Sequence, residues 1–414
     1  MSLILPSVGT SHLLELLSPY APDDFIAEVF PRQCTAGRRH GLSAAQLWRT
    51  HLLAVLTSTH SLNLLLAQLP EQTAWRRFAR LRRTLPTARM LHEFRQSVGV
   101  GTLRAINQHL AGRLLRRQGL QPHAVALMDA TDLPASCHGF KKSSDTYTAA
   151  HAALGGHTLK TGQSRCYVGY KKHTLRMWLP TVHPSVTLVP LVSWITPANV
   201  AEGGLLLPSL RWCRRHLGWW LGIVVADMGY LSAPGKQAAR EGLQTAVVTK
   251  LRADMKLVSP YVSAATVECP QGQRLEWWEY EPESGQQWFR VPADPELCAH
   301  CWQAADCPGH FGYAAETHET LLGLLPLASR VAQRLLRQVR PWIEPAQSFE
   351  KNQLGLGQMF FNSLRLTWQM SLWTDSAVLL RTMAWLDMPK ETHLLAGLQS
   401  RQMELDLAVE KMCG

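Results

Sequence analysis

The chain has 414 residues, with 42 Lys and Arg against 31 Asp and Glu, a formal net charge of +11 and 46% hydrophobic residues. This length predicts two or three domains, and the hydrophobic content suffices for globular folding. No apolar run reaches the roughly 18 residues of a membrane span, and the first residues lack the pattern of a signal peptide. Because the nine cysteines are odd in number and unevenly placed, a disulfide scaffold is not expected. We therefore expect a cytoplasmic protein.

The first 120 residues are predicted to be helical. Leucine and valine recur at helical spacing from Ser43 to Leu69, and Ser43 with Gln46 has the spacing of a capping box. Further helices are predicted over 73–83, 88–97 and 102–118. Residues 1–120 are thus predicted to form an all-helical domain, similar to a helix-turn-helix module.

Arginine is concentrated in the same region. Residues 71–120 hold eleven arginines against two acids, a local charge of +9. Such a field is typical of a surface that contacts nucleic-acid phosphates, and the alternative is an ordinary solvated helical face. The residues predicted to contact DNA are Arg76, Arg77, Arg80, Arg82 and Arg83.

The pattern changes after Pro122, where short apolar runs replace the helical periodicity. Strands are predicted over 123–129, 164–179, 186–195, 221–226 and 245–251, with a helix over 205–216. The order is a strand, a hairpin of strands, a helix, and then two further strands. This order predicts the first part of an α/β core over residues 121–251.

Three acids occupy positions that suit metal-dependent chemistry. Asp129 and Asp227 each end an apolar run, and Glu344 has Arg340 four residues before it and Lys351 seven residues after it. Two strand-end carboxylates and a third from a helix can hold a pair of Mg²⁺ ions about 4 Å apart for phosphoryl transfer. The sequence therefore predicts a site that acts on a phosphodiester.

Two other acids compete for these roles. Asp132 follows Asp129 by three residues, but Asp129 directly closes the apolar run, which favours it as the ligand at the open end of the sheet. Glu350 lies on the same predicted helix as Glu344. The alternative to a catalytic role is that this helix is an ordinary amphipathic helix stabilised by salt bridges. Pro345 favours the first turn of a helix, so Glu344 is predicted to lie at a helix start.

These segments resemble a known family. Arg340-x3-Glu344-x6-Lys351 resembles the signature of insertion-sequence DDE transposases, in which a Tyr normally stands three residues before the Arg, the position held here by Arg337. Further segments resemble the same family in the same order, so that the resemblance spans about residues 40 to 385: YVGYKKHTL (167–175), ITPANVAEGGLLLPSL (195–210) and ADMGYLSAPGKQAAR (226–240).

The resemblance implies an α/β ribonuclease-H-like catalytic core with an N-terminal all-helical DNA-binding domain and a β-rich insertion domain before the last catalytic helix. It implies cleavage of transposon ends and strand transfer into target DNA, catalysed by Asp129, Asp227 and Glu344 with Mg²⁺ or Mn²⁺. The expected partners are double-stranded DNA, as terminal inverted repeats and target, and a second copy of the chain, so that the cytoplasmic protein would associate with the nucleoid.

The same resemblance assigns supporting residues. Arg337, Arg340 and Lys351 are expected near DNA phosphates, and Tyr230 either orients a phosphate or packs in the core. Two other functions fit the sequence: a metal-dependent nuclease of the same fold, and a catalytically silent DNA-binding protein derived from a transposase.

Residues 252–326 differ in composition from their surroundings. Closely spaced aromatic residues predict a β-rich insertion, which leaves residues 327–414 to complete the core with the Glu344 helix and C-terminal helices. The insertion contains Cys269, Cys298, Cys301 and Cys307, and four thiolates suit a structural Zn²⁺. His300 or His310 could replace one of them as a ligand, and the alternative is reduced cysteines without metal.

Overall fold

The computed structural model describes residues 10–30, 41–59, 61–118, 124–136, 139–158, 164–179, 188–218, 221–250, 266–292, 298, 300–301, 304–315, 321, 323–358 and 362–387. The chain divides into two compact units. The first unit comprises Met1–Leu120, Ala130–Val200 and Ile343–Gln399, and the second comprises Gln121–Asp129, Ala201–Trp342 and Ser400–Gly414. These units cut across the four predicted domains (1–120, 121–251, 252–326 and 327–414), whose boundaries stay a prediction.

The N-terminal part of the first unit is helical, as the sequence predicts. Its helices are α1 (Thr10–Leu17), α2 (Asp23–Val29), α3 (Ala44–Leu56), α4 (Leu62–Gln68), α5 (Thr73–Phe78) and α6 (Ala88–Gln118). The predicted capping box starts α3: the Gln46 amide donates to Ser43 Oγ at 3.3 Å, and the Ser43 amide donates to Gln46 Oε1 at 2.8 Å.

Positive φ angles end two of the predicted helices early. The single helix predicted over 43–69 is wrong, because Ser58 has a φ of 52° and the chain resumes a helix only after the Ser61 cap. The helix predicted over 73–83 ends at Phe78, before Arg80 with a φ of 54°. The two helices predicted over 88–97 and 102–118 both form, as parts of α6 on either side of a kink at Gly99.

The strands of the first unit pair mainly in antiparallel fashion. The part of β1 (Ala124–Pro134) that follows Asp129 belongs to this unit. The next strands are β2 (Phe140–Lys141), β3 (Thr146–Tyr147), β4 (Ala153–Thr158), β5 (Ser164–Trp178) and β6 (Leu188–Pro197). The long β5 pairs antiparallel with both β4 and β6 and neighbours β1, while β2 and β3 form a separate hairpin.

The second unit contains parallel strands with helical connections. Its elements are α7 (Leu206–Leu217), β7 (Leu221–Ala226), α8 (Ala233–Leu243) and β8 (Ala246–Thr249). The start of β1 pairs in parallel with β7, and β7 pairs in parallel with β8. Every residue of β7 is buried, which explains its uninterrupted apolar sequence.

A small antiparallel sheet follows in the second unit, within the predicted insertion. Its strands are β9 (Glu276–Glu281), β10 (Gln286–Arg290) and β11 (His310–Ala314), with β10 in the centre. The helix α9 (Arg330–Gln338) follows in the described part of this unit.

The chain then completes the first unit. α10 (Ile343–Ser348) continues into a π-helical turn, Phe349–Gln353, and α11 (Leu364–Leu386) follows. α11 is buried along most of its length and packs against α6, where Asn107 Nδ2 donates to the Leu372 carbonyl at 2.8 Å. The protein is therefore α/β with mixed strand pairing, as predicted at this level. None of the helices in the described ranges combines the length and hydropathy needed to cross a bilayer.

Candidate active site

Two of the three predicted acids lie together in the second unit. The last register pair of β1 and β7 is Met128 with Ala226, and Asp129 and Asp227 directly follow these residues. Because the strands run parallel, both aspartates lie at the same edge of their sheet. Both are partly buried. The structure thus places the two carboxylates at neighbouring positions.

One detail of the predicted geometry is wrong. Asp129 does not end its strand, since β1 continues to Pro134; only the pairing of β1 with β7 ends here, at Met128, directly before Asp129. The competing acid, Asp132, lies in the continuation of the strand and accepts a 2.6 Å hydrogen bond from the Tyr167 hydroxyl. Asp132 therefore has a structural partner within the first unit.

Tyr230 lies in the electrostatic field of the two aspartates. Its side chain is buried, with 1% of the residue exposed. Burial raises the pKa of Tyr230 well above its ordinary value, and the negative charges of Glu202, Asp129 and Asp227 raise it further. Tyr230 is therefore packed and protonated at neutral pH, beside three carboxylates.

Glu202 is the member of this group that the sequence reasoning missed. A Cβ atom at Gly229 would overlap Glu202 Oε2, so the glycine allows the carboxylate to approach the segment that follows Asp227. The sequence feature that could have identified Glu202 is an acidic residue before α7 combined with a glycine two residues after Asp227.

Arg340 contacts the site through a carboxylate. Its Nη2 donates to Asp227 Oδ1 at 2.7 Å, and both side chains are partly exposed. The predicted contact of Arg340 with a phosphate concerns a complex with DNA and stays a prediction. In the chain without DNA, the guanidinium of Arg340 bonds to Asp227. Arg337, one turn earlier, is exposed and donates to the Gln333 carbonyl at 3.3 Å.

Glu344 lies in the first unit, at the start of α10, where Pro345 predicted it. Its side chain is exposed. Three residues later, Gln347 Nε2 donates to the Ala130 carbonyl at 3.0 Å, which ties this short helix to β1 within the same unit.

The competing acid Glu350 is buried in an ion cluster. Its carboxylate accepts from Lys172 Nζ at 3.0 Å and from Arg176 Nη1 at 2.6 Å, and Lys172 also contacts Asp375 Oδ1 at 2.7 Å. Burial raises the pKa of the Glu350 carboxyl, but the charges of Arg176 and Lys172 outweigh it and lower the pKa to about 2. Glu350 is therefore an ionised structural group with balanced partners.

The remaining predicted phosphate ligand, Lys351, is half-buried in the π-helical turn. Burial lowers the pKa of Lys351, and the charges of Asp132 and Glu350 partly restore it. Across the described ranges, no three His, Cys, Asp or Glu side chains are arranged to hold a metal ion. The described residues therefore bring Asp129 and Asp227 together but do not form a complete set of metal ligands.

The cysteines predicted to bind zinc lie within the described ranges: Cys269, Cys298, Cys301 and Cys307. No three of them are arranged to hold a metal ion, so the described residues do not form the predicted zinc site.

Several arginines of the arginine-rich segment 71–120 already make contacts within the protein. Arg80 pairs with Asp23 at 2.6 Å, and Asp23 also binds the buried Arg49 at 2.7 Å. Arg77 lies 3.9 Å from Glu15, and Arg76 is partly buried. Arg82 and Arg83 are exposed and, within the described part of the chain, have no ion-pair or hydrogen-bond partner.

The comparisons with known proteins support part of this picture. Residues 5–97 match the family described as Transposase domain (DUF772). No curated protein matches the chain. A solved structure of the piggyBac transposase synaptic complex with hairpin DNA matches with 11% sequence identity and a TM-score of 0.29, covering 95% of this chain and 84% of the other. A match this weak indicates neither mechanism nor partner. Residues 5–97 are therefore similar to this transposase domain, and the resemblance to transposases seen in the sequence is confirmed at this level.

Proposed function

We propose that the chain is a DDE transposase that cleaves transposon ends and joins them to target DNA. The observation that carries this proposal is the placement of Asp129 and Asp227 at the same edge of two paired parallel strands, in a chain whose residues 5–97 match a transposase domain. The order of elements, with a first acidic strand, antiparallel strands, α7 and then a second acidic strand, supports a ribonuclease-H-like core.

Glu344 is the proposed third acid. Arg340, four residues before it, bonds to Asp227, and Gln347, three residues after it, bonds to the carbonyl of Ala130. Glu344 is chosen because the Arg340-x3-Glu344-x6-Lys351 segment resembles the signature of DDE transposases. Glu350 is unsuited to the role because its carboxylate is already neutralised by two buried cations.

The donor set fits a hard divalent cation, since carboxylate oxygens are the ligands that Mg²⁺ and Mn²⁺ favour. Burial raises the pKa of Tyr230 most, and the nearby carboxylates of Glu202, Asp129 and Asp227 raise it further. Asp129, Asp227 and Glu344 would hold the ions, which when bound supply activation of the attacking oxygen and stabilisation of the leaving oxygen.

Other residues of the chain position the acids and the DNA. Arg340 fixes one oxygen of Asp227 and brings a positive charge to the site. Tyr230 remains protonated and so can donate a hydrogen bond but cannot accept a proton as a base. Arg82 and Arg83 are the best placed arginines for phosphates, and a homodimer would hold both transposon ends.

The proposal is tested with DNA that carries the inverted repeats flanking the reading frame. We expect Mg²⁺-dependent nicking at the repeat ends and transfer of the 3′-hydroxyl end into a target plasmid, both abolished by EDTA. Nicking without strand transfer would instead identify a nuclease. Repeat binding without nicking would identify a silent DNA-binding protein. Either of these outcomes would overturn the proposal.

A separate prediction concerns the exposed arginines. Replacing Arg82 and Arg83 with Ala should weaken binding to the repeat DNA and lower the slope of log affinity against log salt by about 0.9 for each lost phosphate contact. Fluorescence anisotropy across a salt series measures this slope. Arg89→Ala is the matched control, because Arg89 is also exposed but pairs with Glu93 at 2.7 Å. An unchanged slope in the double variant would show that the two arginines are solvated surface residues that do not contact DNA.

A further inference from the structure

The helix α7 of the second unit has a hydrophobic face and a basic face. Its buried side chains recur at helical spacing: Leu206, Ser209, Leu210 and Cys213. Arg211 and Arg215 are four residues apart, lie on the opposite side of the helix, and are both exposed. α7 therefore packs through one face and presents two arginines to solvent on the other.

These two arginines are available to a ligand outside the chain. Among the described residues, neither the Arg211 nor the Arg215 guanidinium has an ion-pair or hydrogen-bond partner. The third arginine of the helix, Arg214, differs from them. Its Nη1 donates to the Gly242 carbonyl at 3.0 Å, which ties α7 to the end of α8. The exposed pair thus lies on a helix that is held in place by packing and by Arg214.

The segment around α7 is basic. Residues 206–250 contain six Lys and Arg but only two acids, Asp227 and Glu241. Both acids already have a basic partner: Asp227 accepts from Arg340 at 2.7 Å, and Glu241 accepts from Arg240 at 3.1 Å. The carboxylates of this segment therefore leave the positive charge of the two exposed arginines without a counter-charge.

The stability of α7 does not explain the pair. Two like charges four residues apart on a helix repel each other and destabilise it. Basic side chains in the last turn interact favourably with the helix dipole, which accounts for Arg214 and Arg215, but this effect falls off within one turn and does not extend to Arg211. An anion bound from outside the chain would offset the repulsion between Arg211 and Arg215.

α7 and the two aspartates of the candidate site belong to the same unit. Three residues separate Leu217, which ends α7, from Leu221, which starts β7, and Asp227 directly follows the end of β7. The six residues of β7 span about 20 Å, so the end of α7 lies on the order of 20 Å from Asp227. Since phosphates on one DNA strand are about 3.4 Å apart, this distance corresponds to about six base pairs.

We propose that Arg211 and Arg215 form a DNA-contacting surface on the second unit, which binds the backbone phosphates of duplex DNA. The planar guanidinium carries paired N–H donors that match two phosphate oxygens. Because phosphate contacts carry no sequence information, the surface adds affinity and holds the duplex without selecting its sequence. The inference rests on the proposed function in so far as the chain acts on DNA, and it does not depend on which acids bind a cation.

The test is the salt dependence of DNA binding in EDTA, measured by fluorescence anisotropy with a labelled duplex that carries the repeat end. Replacing Arg211 and Arg215 together with Gln should lower the slope of log affinity against log salt by about 1.8, or about 0.9 for each lost phosphate contact. Replacing both with Lys should keep most of the slope, because the charges remain. Arg330→Gln is the control: it removes an exposed charge from the same unit, but Arg330 is already paired with Glu276.

The outcomes separate this surface from the proposed transposase activity. Wild-type binding to DNA with an unchanged slope in the glutamine double variant would overturn the surface alone. A wild-type chain that binds no duplex DNA would overturn the surface and the proposed function together. Sedimentation velocity without DNA tests whether this face contacts a second copy of the chain. An altered oligomeric state of the glutamine variant would likewise refute the DNA surface.

Two measurements keep the test independent of folding. Equal urea midpoints of wild type and variants would show that a lower slope does not come from unfolding. If the double variant is unstable, the single variants Arg211→Gln and Arg215→Gln replace it, and each should lower the slope by about 0.9. Single variants that fold and keep the wild-type slope would count against the proposal in the same way.

Discussion

Asp227→Asn should abolish DNA cleavage while leaving binding to the repeat DNA nearly intact. The amide keeps the shape of the side chain and can still accept from Arg340, which donates to Asp227 Oδ1 at 2.7 Å. It removes the negative charge that would hold the cation and so weakens electrostatic stabilisation of the transition state. Loss of one such contact costs an active site at least about 10²-fold in rate. Single-turnover nicking of labelled repeat DNA measures the effect, and anisotropy measures binding.

Asp132→Asn is the matched control for this prediction. Asp132 lies three residues from Asp129 on the same strand, and an asparagine there can still accept the hydrogen bond from Tyr167. Nicking should therefore change little. Near wild-type nicking by Asp227→Asn would remove Asp227 from the site, and a large loss in Asp132→Asn would show that the wrong aspartate of β1 was chosen.

Glu350→Gln should strongly destabilise the protein. The substitution removes the carboxylate that pairs with both buried cations, Lys172 and Arg176, while Lys172 keeps its contact with Asp375. Breaking a buried ion pair by removing one partner costs about 3–5 kcal/mol, because the remaining charge stays desolvated. We expect a loss of this size in the free energy of unfolding, measured by denaturant titration.

Glu344→Gln should show the opposite pattern. Glu344 is exposed, so the free energy of unfolding should stay within about 0.5 kcal/mol of the wild type. DNA nicking should nevertheless be lost if Glu344 is the third acid. A stable Glu350→Gln variant that fails to cleave, beside an active Glu344→Gln variant, would reverse the roles assigned to the two residues.

Local patterns predicted much of the secondary structure. β7 has the predicted bounds, because a strand buried on both faces needs an uninterrupted apolar run. The cap of α3 follows from two side chains three residues apart. β4 was not predicted, since its Gly155 and Gly156 disfavour a strand. The fold requires Gly155, because a Cβ there would lie 2.7 Å from the Cβ of Ala198.

The sequence by itself predicted that both aspartates follow the apolar part of a strand, since each comes directly after a short apolar run. That β1 continues past Asp129 became visible only in the structure. The sequence favoured Glu344 over Glu350 through the Arg340-x3-Glu344-x6-Lys351 spacing, but it left open which of the two carboxylates is buried, because they lie six residues apart in one helical stretch. Only the tertiary structure decided this question. Lys172 and Arg176 lie 178 and 174 residues from Glu350, and they meet it only when β5 packs against the π-helical turn. Burial and charge pairing at such separations depend on the fold, which no local spacing encodes.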